Sequence, residues 1–240
     1  MINLGSLNLS DMKIGTSSVL SGYVGTDLVY PVRQPDYIAN APDSMSGSPI
    51  NVWFDTGVMP TKTMCMEVKA ANVNFAPNVN QQVIGATNAG SAEHFGFLFP
   101  RNSTYHIAYV RYNGAFAQSD SADYTVPNKP YVCTMWLSGT TRLVLDIDGT
   151  QLTGTVNSRV SAPNFSLWLF ARDLAGTVGT STRCYGGAKI YYVKFYDEYG
   201  GNLLYHFVPW IDNGEACFKD LVNGTIIHNL GTDTPVYGYD

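Results

Sequence analysis

Residues 142–149, with the sequence RLVLDIDG, contain the pattern that decides the fold. Leu143, Leu145 and Ile147 recur at every second position, and the charged residues Arg142, Asp146 and Asp148 occupy alternate positions. Side chains of a strand point alternately to opposite faces, so this spacing predicts a strand with one buried face. Asp148-Gly149 follows directly, and Asp-Gly favours the positive φ angles that a two-residue hairpin turn requires.

The same period of two recurs along the chain and predicts further strands at 63–70, 105–112 and 188–196. Asn113-Gly114, Gly200-Gly201 and Asn223-Gly224 are further hairpin-turn signals. The predicted faces are Met64, Met66, Val68 and Ala70 in residues 63–70, and Tyr191, Val193 and Phe195 opposite Ile190, Tyr192 and Lys194 in residues 188–196.

Residues 165–171, FSLWLFA, are apolar at nearly every position, which predicts a strand buried in the middle of a sandwich. No window of a dozen residues contains an apolar stripe of helical period. The sequence therefore predicts an all-β protein, most simply an antiparallel sandwich of two sheets.

Composition limits the partners of the chain. Charged residues make up 14% of the 240 residues, the net charge is -5, and Lys and Arg form no cluster. Phosphate binding needs concentrated positive charge, so we expect no nucleic-acid partner. The first residues lack the features of a signal peptide and no apolar run approaches 18 residues, so we expect no membrane insertion. Without export, we expect Cys65, Cys133, Cys184 and Cys217 to be reduced and mostly buried.

A ten-residue repeat occupies the first thirty residues. Each copy reads apolar-Gly-(Ser/Thr)-x-x-apolar. A short fixed period indicates one small unit stacked on itself, and such a unit cannot bury its apolar side alone. We therefore predict a β-rich module for anchoring and oligomerisation, in which the key residues are Gly5, Gly15, Gly25, Leu9, Val19 and Val29.

The segment 32–49 is rich in proline and serine, which disfavours the interior of helices and sheets. It predicts a linker between two parts of the chain. The predicted organisation is a repeat module at 1–31, a linker at 32–49 and a β domain at 50–240.

Residues 50–240 resemble the laminin-G-like branch of the concanavalin A-like jelly-roll superfamily. The segments that carry the resemblance are, in order, VWFDTGVMPTKTMCMEVKA at the start, FGFLF and YVCTMWLSGTTRLVLDIDGTQL in the middle, and LWLFARD, GGAKIYYVKFYDEYGGNLLYHFVP and ACFKDLVNGTIIHNLGT near the end. The resemblance implies a jelly-roll sandwich with the β-rich leader as a separate small module.

A jelly-roll body behind an L-G-S/T leader and the junction Val29-Tyr30-Pro31 resembles virion proteins of gut bacteriophages, such as those of crAss-like phages. This second resemblance implies a structural or adhesive virion protein, assembled in the bacterial cytoplasm. It leaves the head or tail location open.

Catalytic and metal sites have weak support in the sequence. The superfamily contains glycoside hydrolases, which need two carboxylates around the scissile bond. The nearest acidic pairs, Asp146/Asp148 and Asp197/Glu198, lie at predicted strand ends, where turn formation explains them. The candidate calcium ligands are Asp120, Asp123, Asp146 and Asp148. Their spacing does not match that of a calcium-binding loop. The four His residues are scattered and suggest no zinc site, and His206 is interpreted as a structural residue in a strand. We therefore expect no enzyme and no required cofactor.

Sugar recognition favours aromatic rings beside Asn, Asp and Arg side chains. Arg111, Tyr112 and Asn113 offer that mixture in one predicted loop. Arg172 and Asp173 follow the buried strand, and Trp210 follows a proline. These six residues are the predicted glycan contacts.

The sequence thus predicts a non-enzymatic virion protein, a fibre or decoration component. The repeat module would anchor it to other virion proteins and assemble it as a homotrimer, and the jelly-roll body would attach to host or mucosal glycans. Three alternatives stay open: a purely structural spacer or clamp, a polysaccharide depolymerase, and a bacterial surface lectin.

Overall fold

The computed structural model describes residues 13–14, 17–18, 22–24, 27–30, 33–40, 50–73, 81–88, 94–99, 109–112, 115–118, 128–155, 162–177 and 187–240. Every regular element in these residues is a strand, which confirms the predicted all-β class. The contacts divide the chain into two units, Met1–Gln34 and Pro35–Asp240.

The N-terminal unit contains two short hairpins. In the first, β1 (Lys13–Ile14) pairs with β2 (Ser17–Ser18), and in the second, β3 (Gly22–Val24) pairs with β4 (Asp27–Tyr30). The innermost pairs are Ile14↔Ser17 and Val24↔Asp27. Val29 lies in β4. The other predicted anchoring residues, Gly5, Leu9, Gly15, Val19 and Gly25, lie outside the described residues.

The larger unit contains two sheets. The described strands of the smaller sheet are β6 (Phe54–Asp55), β8 (Gln81–Thr87), β9 (His94–Phe99), β10 (Tyr109–Tyr112), β11 (Ala115–Gln118), β15 (Trp168–Leu169) and β16 (Asp173–Leu174). These seven strands follow the order β11-β10-β9-β8-β15-β6, with β16 also paired to β8. The pairs are antiparallel apart from β16 with β8.

The described strands of the larger sheet are β5 (Tyr37–Ala39), β7 (Cys65–Asn72), β12 (Pro130–Ser138), β13 (Arg142–Ile147), β14 (Thr150–Thr155), β17 (Ala188–Tyr196), β18 (Leu203–Asp212), β19 (Glu215–Asp220), β20 (Ile226–His228) and β21 (Val236–Gly238). These ten strands are antiparallel, in the order β14-β13-β12-β7-β17-β18-β19-β20, with β5 paired to both β17 and β21.

One continuous hydrophobic core lies between the sheets. The alternation in β13 holds, since Leu143, Leu145 and Ile147 are buried in this core. Phe54 of the smaller sheet meets Phe218 of the larger one edge to face, with ring centroids 5.0 Å apart. Such apolar contacts across both inner faces leave the outer faces of the sheets for other roles.

Strand β17 departs from the predicted alternation. Ile190 is fully buried in the core together with Val193 and Phe195, although the period of two places it opposite them. The pairing of β17 with β7 shifts register between Ile190 and Tyr192, which is a β-bulge. The extra residue rotates the strand by one face at this point, so the predicted faces are wrong at Ile190 and Tyr191.

The segment 165–171 is buried but is only briefly a strand. β15 contains Trp168–Leu169 alone, between β8 and β6, and Phe170 has a φ of 56°. This left-handed residue ends the strand and turns the chain toward β16. The predicted burial is therefore confirmed, and the predicted length is wrong.

The segment predicted as a linker contains strand β5. Ile38 pairs with Ile190 of β17 and is fully buried, so residues 37–39 belong to the larger sheet. Three apolar or aromatic residues in a row, YIA, give this short strand enough apolar surface to pack despite the prolines around it.

Candidate functional site

The six predicted glycan contacts are distributed over both sheets. Arg111 and Tyr112 lie in β10, whose side chains are outside the described residues, as is Asn113. Asp173 lies in β16, directly after Arg172, and β16 pairs with β8, which is two strands from β10 in the smaller sheet. Trp210 belongs to the larger sheet. The fold therefore does not gather these residues into one described site.

Asp173 has a structural position. Its side chain is buried, and Oδ1 accepts a hydrogen bond of 2.6 Å from the backbone N–H of Gly176, closing the turn after β16. Burial raises the pKa of this carboxyl group, with a smaller opposing effect of the Gly176 hydrogen bond. Arg172 is half-buried, and its Cγ lies beside Gly85 of β8.

Trp210 is covered on its ring by a lysine. The Nζ atom of Lys219, on the neighbouring strand β19, lies 4.2 Å from the ring centroid. The backbone carbonyl of Trp210 also accepts a hydrogen bond from the thiol of Cys217 at 3.4 Å. An ammonium group on the ring face competes with a sugar for the same surface.

A different aromatic pair forms an exposed surface, which we call the Trp136–Tyr199 platform. Trp136 lies near the end of β12 on the outer face of the larger sheet, and Tyr199 lies in the connection between β17 and β18. The two rings stack at 4.0 Å with an interplanar angle of 13°. Trp136 is 7% exposed and Tyr199 is 58% exposed, so the tyrosine covers the tryptophan and presents its own ring to solvent.

Side chains from neighbouring strands pack around Trp136 on the same face of the sheet. Cys65, Val144 and the ring of Tyr196 pack with Trp136 as a small cluster, separate from the main core. These residues come from β7, β13 and β17, which flank or lie near β12 in the larger sheet. Four strands thus hold the tryptophan in place.

Asp197 fixes the connection that carries Tyr199. Its Oδ1 accepts hydrogen bonds from the backbone N–H groups of Glu198 and Asn202, at 2.8 and 2.7 Å. Its Oδ2 accepts a third from the Asn202 side-chain amide at 2.9 Å, and this bond is the main reason that the pKa of Asp197 lies below its usual range. Gly200 has a φ of 75°, and a Cβ on Gly201 would collide with Asp197 Oδ1. The turn is therefore closed and rigid.

A cavity of about 380 Å³ lies beside the platform. Its polar lining contains one cation, Lys62, and one anion, Glu198, together with hydroxyl groups. An aromatic ring beside a few convergent polar groups is typical of small-molecule sites. The residues that line the cavity with Trp136 and Tyr199 are Lys62, Thr63, Leu137, Ser138, Gly139 and Glu198.

A second cavity of about 340 Å³ lies near the turn between β18 and β19 and includes Glu215, Asp233 and Tyr237. Its polar groups are largely engaged in the protein. Asp233 Oδ2 accepts a hydrogen bond of 2.8 Å from the backbone N–H of Asn51, and Asn229 bonds Trp53, Gly231 and Asp233. This cavity offers fewer free groups than the first.

The acidic pairs considered for catalysis have turn-forming roles. Asp148 Oδ1 accepts a hydrogen bond of 2.9 Å from the N–H of Val132, and Asp146 Oδ1 accepts one of 2.8 Å from Gly149. Asp148 and Gly149 have φ values of 48° and 87°, as the Asp-Gly hairpin predicted. Asp120 and Asp123 lie outside the described residues, within which no group of three or more His, Cys, Asp or Glu side chains could hold a metal ion.

Cysteine and histidine side chains are structural where the structure describes them. Cys65, Cys133 and Cys217 are buried free thiols, which confirms the expectation for these three; Cys184 lies outside the described residues. Burial raises the pKa of Cys65 to about 12 and that of Cys217 to about 11, so the nucleophilic thiolate is scarce at neutral pH. Burial lowers the pKa of His206, whose ring meets Tyr192 edge to face at 5.9 Å. The described residues form no helix that is long and apolar enough to cross a membrane.

Sequence reasoning missed the platform, although each half leaves a signal. Trp136 occupies the polar face of an alternating strand, and Tyr199 sits in a turn before Gly200-Gly201. A large ring at either position is unusual for a solvent-facing site. Only the tertiary structure brings these two residues, which are far apart in the chain, into one stack.

Comparison with solved structures identifies the fold. A heptameric SAP-like pentraxin from Limulus polyphemus aligns with a TM-score of 0.54 at 8% identity, over 86% of this chain and 96% of that one. Domains LG4-5 of the mouse laminin alpha1 chain align with a TM-score of 0.49 at 12% identity, over 89% of this chain and 48% of that one. The carbohydrate-binding module CBM40 of Ruminococcus gnavus IT-sialidase aligns with a TM-score of 0.37 at 11% identity, over 61% of this chain and 89% of that one. At these identities the likeness concerns the fold alone, and the pentraxin alignment confirms the predicted two-sheet jelly-roll sandwich. No protein-family model and no curated protein matches the chain.

Proposed function

We propose that this protein is a non-enzymatic glycan-binding module and that the Trp136–Tyr199 platform is its sugar site. The observation that carries the proposal is the stacked pair itself, in which Tyr199 is 58% exposed above a cavity of about 380 Å³. A ring held flat by a second ring offers an apolar surface at low entropic cost.

The chemistry of the site suits a sugar. One face of a pyranose consists largely of C–H groups, which pack on an aromatic ring, while its hydroxyls need hydrogen-bond partners. Lys62, Ser138 and Glu198 supply a donor, a hydroxyl and an acceptor around the ring. The platform therefore combines stacking with directional polar contacts.

Binding without turnover fits the carboxylates better than hydrolysis does. A glycosidase needs an acid and a second carboxylate facing the scissile bond. Asp146, Asp148 and Asp197 each accept a backbone hydrogen bond that holds a turn or its neighbouring strand. The residues that line the platform cavity include one carboxylate, Glu198, where a glycosidase needs two. A depolymerase is therefore the weaker alternative.

We also propose a position on a bacteriophage virion, as a fibre or decoration component assembled in the host cytoplasm. The N-terminal hairpins support an anchoring role, because isolated two-stranded hairpins are marginal in water and gain by pairing with other chains. A homotrimer attached to other virion proteins would present several platforms together. Multivalent display turns weak sugar contacts into firm attachment to host or mucosal glycans.

A glycan array of bacterial capsular polysaccharides and mucin O-glycans tests the sugar site. We expect the full chain to bind a subset, and Tyr199→Ala to weaken that binding by about 30-fold, as for a central aromatic contact. Tyr199→Phe keeps the stack and should keep most of the affinity. Tyr237→Ala removes a ring that is 44% exposed beside the other cavity and serves as the matched control. If the full chain binds no glycan on the array, the result favours the purely structural spacer role.

Deletion of residues 1–30 tests the anchoring role separately. We expect the full chain to sediment as a trimer and the deletion variant to be lost from particles while retaining sugar binding. A monomeric full chain, with particle incorporation unaffected by the deletion, contradicts the virion assignment and leaves the sugar site standing.

A further inference from the structure

Lysine ammonium groups rest on aromatic rings across the outer face of the larger sheet. Significant cation–π pairs occur roughly once per 70–80 residues in proteins, so about three would be ordinary for a chain of this length. The described residues contain five, and four of them share this face. These four are Lys69 over Tyr191 at 4.9 Å, Lys189 over Tyr37 at 4.3 Å, Lys194 over Tyr192 at 4.6 Å and Lys219 over Trp210 at 4.2 Å.

A cation on a ring keeps its full charge, whereas a salt bridge neutralises it. Lys194 also contacts Glu67 Oε1 at 2.8 Å, so that pair is neutral. Among the described residues, three of these four lysines, Lys69, Lys189 and Lys219, have ring contacts and no carboxylate within 4.0 Å. Lys189 is buried, with 7% of it exposed, so Lys69 and Lys219 are the two free cations of this set that a ligand can reach. Nearby acidic groups are engaged elsewhere: Glu67 with Lys194, and Asp240 with the hydroxyl of Tyr191.

Lys69 and Lys219 lie in one cross-strand row. Lys69 pairs with Tyr192 of β17, and Lys219 pairs with Val208 of β18. Three strand spacings separate the two lysines, which is about 14 Å between their Cα atoms. We call this the lysine row.

The platform lies on the same face. Val132 of β12 pairs with Lys69, and Trp136 is four residues further along that strand. Four residues of strand span about 13 Å, and β7 and β19 lie one and four strand spacings from β12, so Lys69 and Lys219 are about 14 and about 23 Å from Trp136. An oligosaccharide of several sugars covers that span. A ligand that stacks on Tyr199 can therefore extend over both free cations.

We propose that the lysine row binds the anionic groups of an acidic polysaccharide whose sugar ring stacks on the platform. This inference rests on the proposed sugar site and adds the class of its ligand. The ring beneath each lysine holds the ammonium in place, so little side-chain entropy is lost when a carboxylate binds. A nucleic acid fits less well, because its dense phosphate charge needs a concentrated positive surface and the net charge of this chain is -5.

Two anionic polymers, polygalacturonate and polysialate, test the proposal when each is compared with its own methyl ester on the full chain. The esters keep the sugar rings and lose the charges. We expect at least one polymer to bind about tenfold more tightly than its ester at low salt and to lose that preference at high salt. Equal affinities for both polymers and both esters, or no binding to any of them, overturn the inference.

Charge-removing variants locate the effect. Lys69→Gln and Lys219→Gln should each cost about threefold for the anionic polymer, and the double variant about tenfold, with ester binding unchanged. Lys129→Gln is the matched control, since Lys129 lies 4.9 Å over Tyr131, a core-facing residue outside the row. An unaltered preference in the double variant overturns the inference, as does equally tight, lysine-dependent binding of a 30-base-pair DNA duplex.

Tyr199→Ala separates this inference from the proposed sugar site. If it abolishes binding of polymers and esters while the lysine variants change nothing, the sugar site stands and the lysine row fails. If the lysine variants weaken polymer binding while Tyr199→Ala has no effect, the row stands as an anion site and the platform fails.

Discussion

Trp136 and Trp210 occupy the same outer face of one sheet and differ in what covers their rings. Trp136 lies under Tyr199, whose own ring is open to solvent, whereas Trp210 carries the ammonium of Lys219. The first arrangement presents an apolar surface and the second presents a charge. Residue type and strand position are alike, so the neighbour on the adjacent element decides the chemistry.

The supporting layer differs in the same way. Trp136 packs on a cluster of its own with Cys65, Val144 and Tyr196, and only 7% of it is exposed. Trp210 is half-buried on a strand near the other end of the face. A buried ring supports both stability and binding, and a half-buried ring beside a lysine mainly positions the lysine.

Alanine at each tryptophan gives the largest expected difference. Trp136→Ala removes a buried ring and should lower the free energy of unfolding by about 3 kcal/mol, with loss of glycan binding. Trp210→Ala removes a half-buried ring and one cation–π contact and should cost about 1 kcal/mol. Urea denaturation measures both losses, and equal losses would contradict the distinction between the two rings.

Alanine at one glycine in each of two turns gives a smaller expected difference: Gly201 lies in the connection that carries Tyr199, and Gly214 lies in the turn after Trp210. Gly201→Ala places a Cβ against Asp197 Oδ1, so the turn must open and Tyr199 must leave the platform. We expect glycan affinity to fall about tenfold, or about 1.4 kcal/mol.

Gly214→Ala, in the turn that follows Trp210, is the control. Gly214 has a φ of 85°, and no atom lies within 4 Å of the position that an added methyl group would take, so the cost is backbone strain of about 1 kcal/mol. Glycan affinity should not change. Titration calorimetry with an array-selected glycan distinguishes the two, and unaltered binding by Gly201→Ala would show that the closed turn is dispensable.

Lowering the pH gives the smallest expected change in glycan affinity, and it acts through Asp197. Hydrogen bonds from Asn202 and Glu198 favour the charged form of Asp197 and lower its pKa in the folded state. A lowered folded pKa stabilises the turn above the unfolded pKa, and this contribution is lost as the pH falls through the folded value. Glycan affinity should therefore be constant from neutral pH to about pH 5 and decline only below about pH 4.

Asp197→Asn tests the cause of that decline. The amide oxygen can still accept from the backbone, but the group no longer titrates in this range, so the variant should lose the acid-dependent part of the decline. The same pH profile in both proteins would assign the decline to another group.

Much of the fold was predictable because the sandwich depends on local alternation. In β13, Leu143, Leu145 and Ile147 face the core, and the Asp148-Gly149 turn has the φ values its residue types favour. The Asn213-Gly214 turn, with φ values of 50° and 85°, follows the same rule, although it was not among the predicted turns. Side-chain direction and turn preference are properties of neighbours in sequence, so the sequence reveals them.

The errors fall where a distant strand overrides the local pattern. The bulge at Tyr191 depends on the register of β17 against β7, and β5 becomes a strand because β17 and β21 flank it. Trp210, a predicted sugar contact, carries the ammonium of Lys219 over its ring, a contact that the local pattern does not reveal. Each outcome is set by pairing or packing with residues far away in the chain.

The order of residues therefore specifies an all-β chain with alternating strands, tight turns and a ten-residue repeat at its start, because these follow from the chemistry of adjacent residues. Folding in three dimensions settles which rings are open, which are covered by lysines, and where a stacked pair stands beside a cavity. Ring exposure depends on contacts between strands that the chain order does not specify, and the candidate site consists of such contacts.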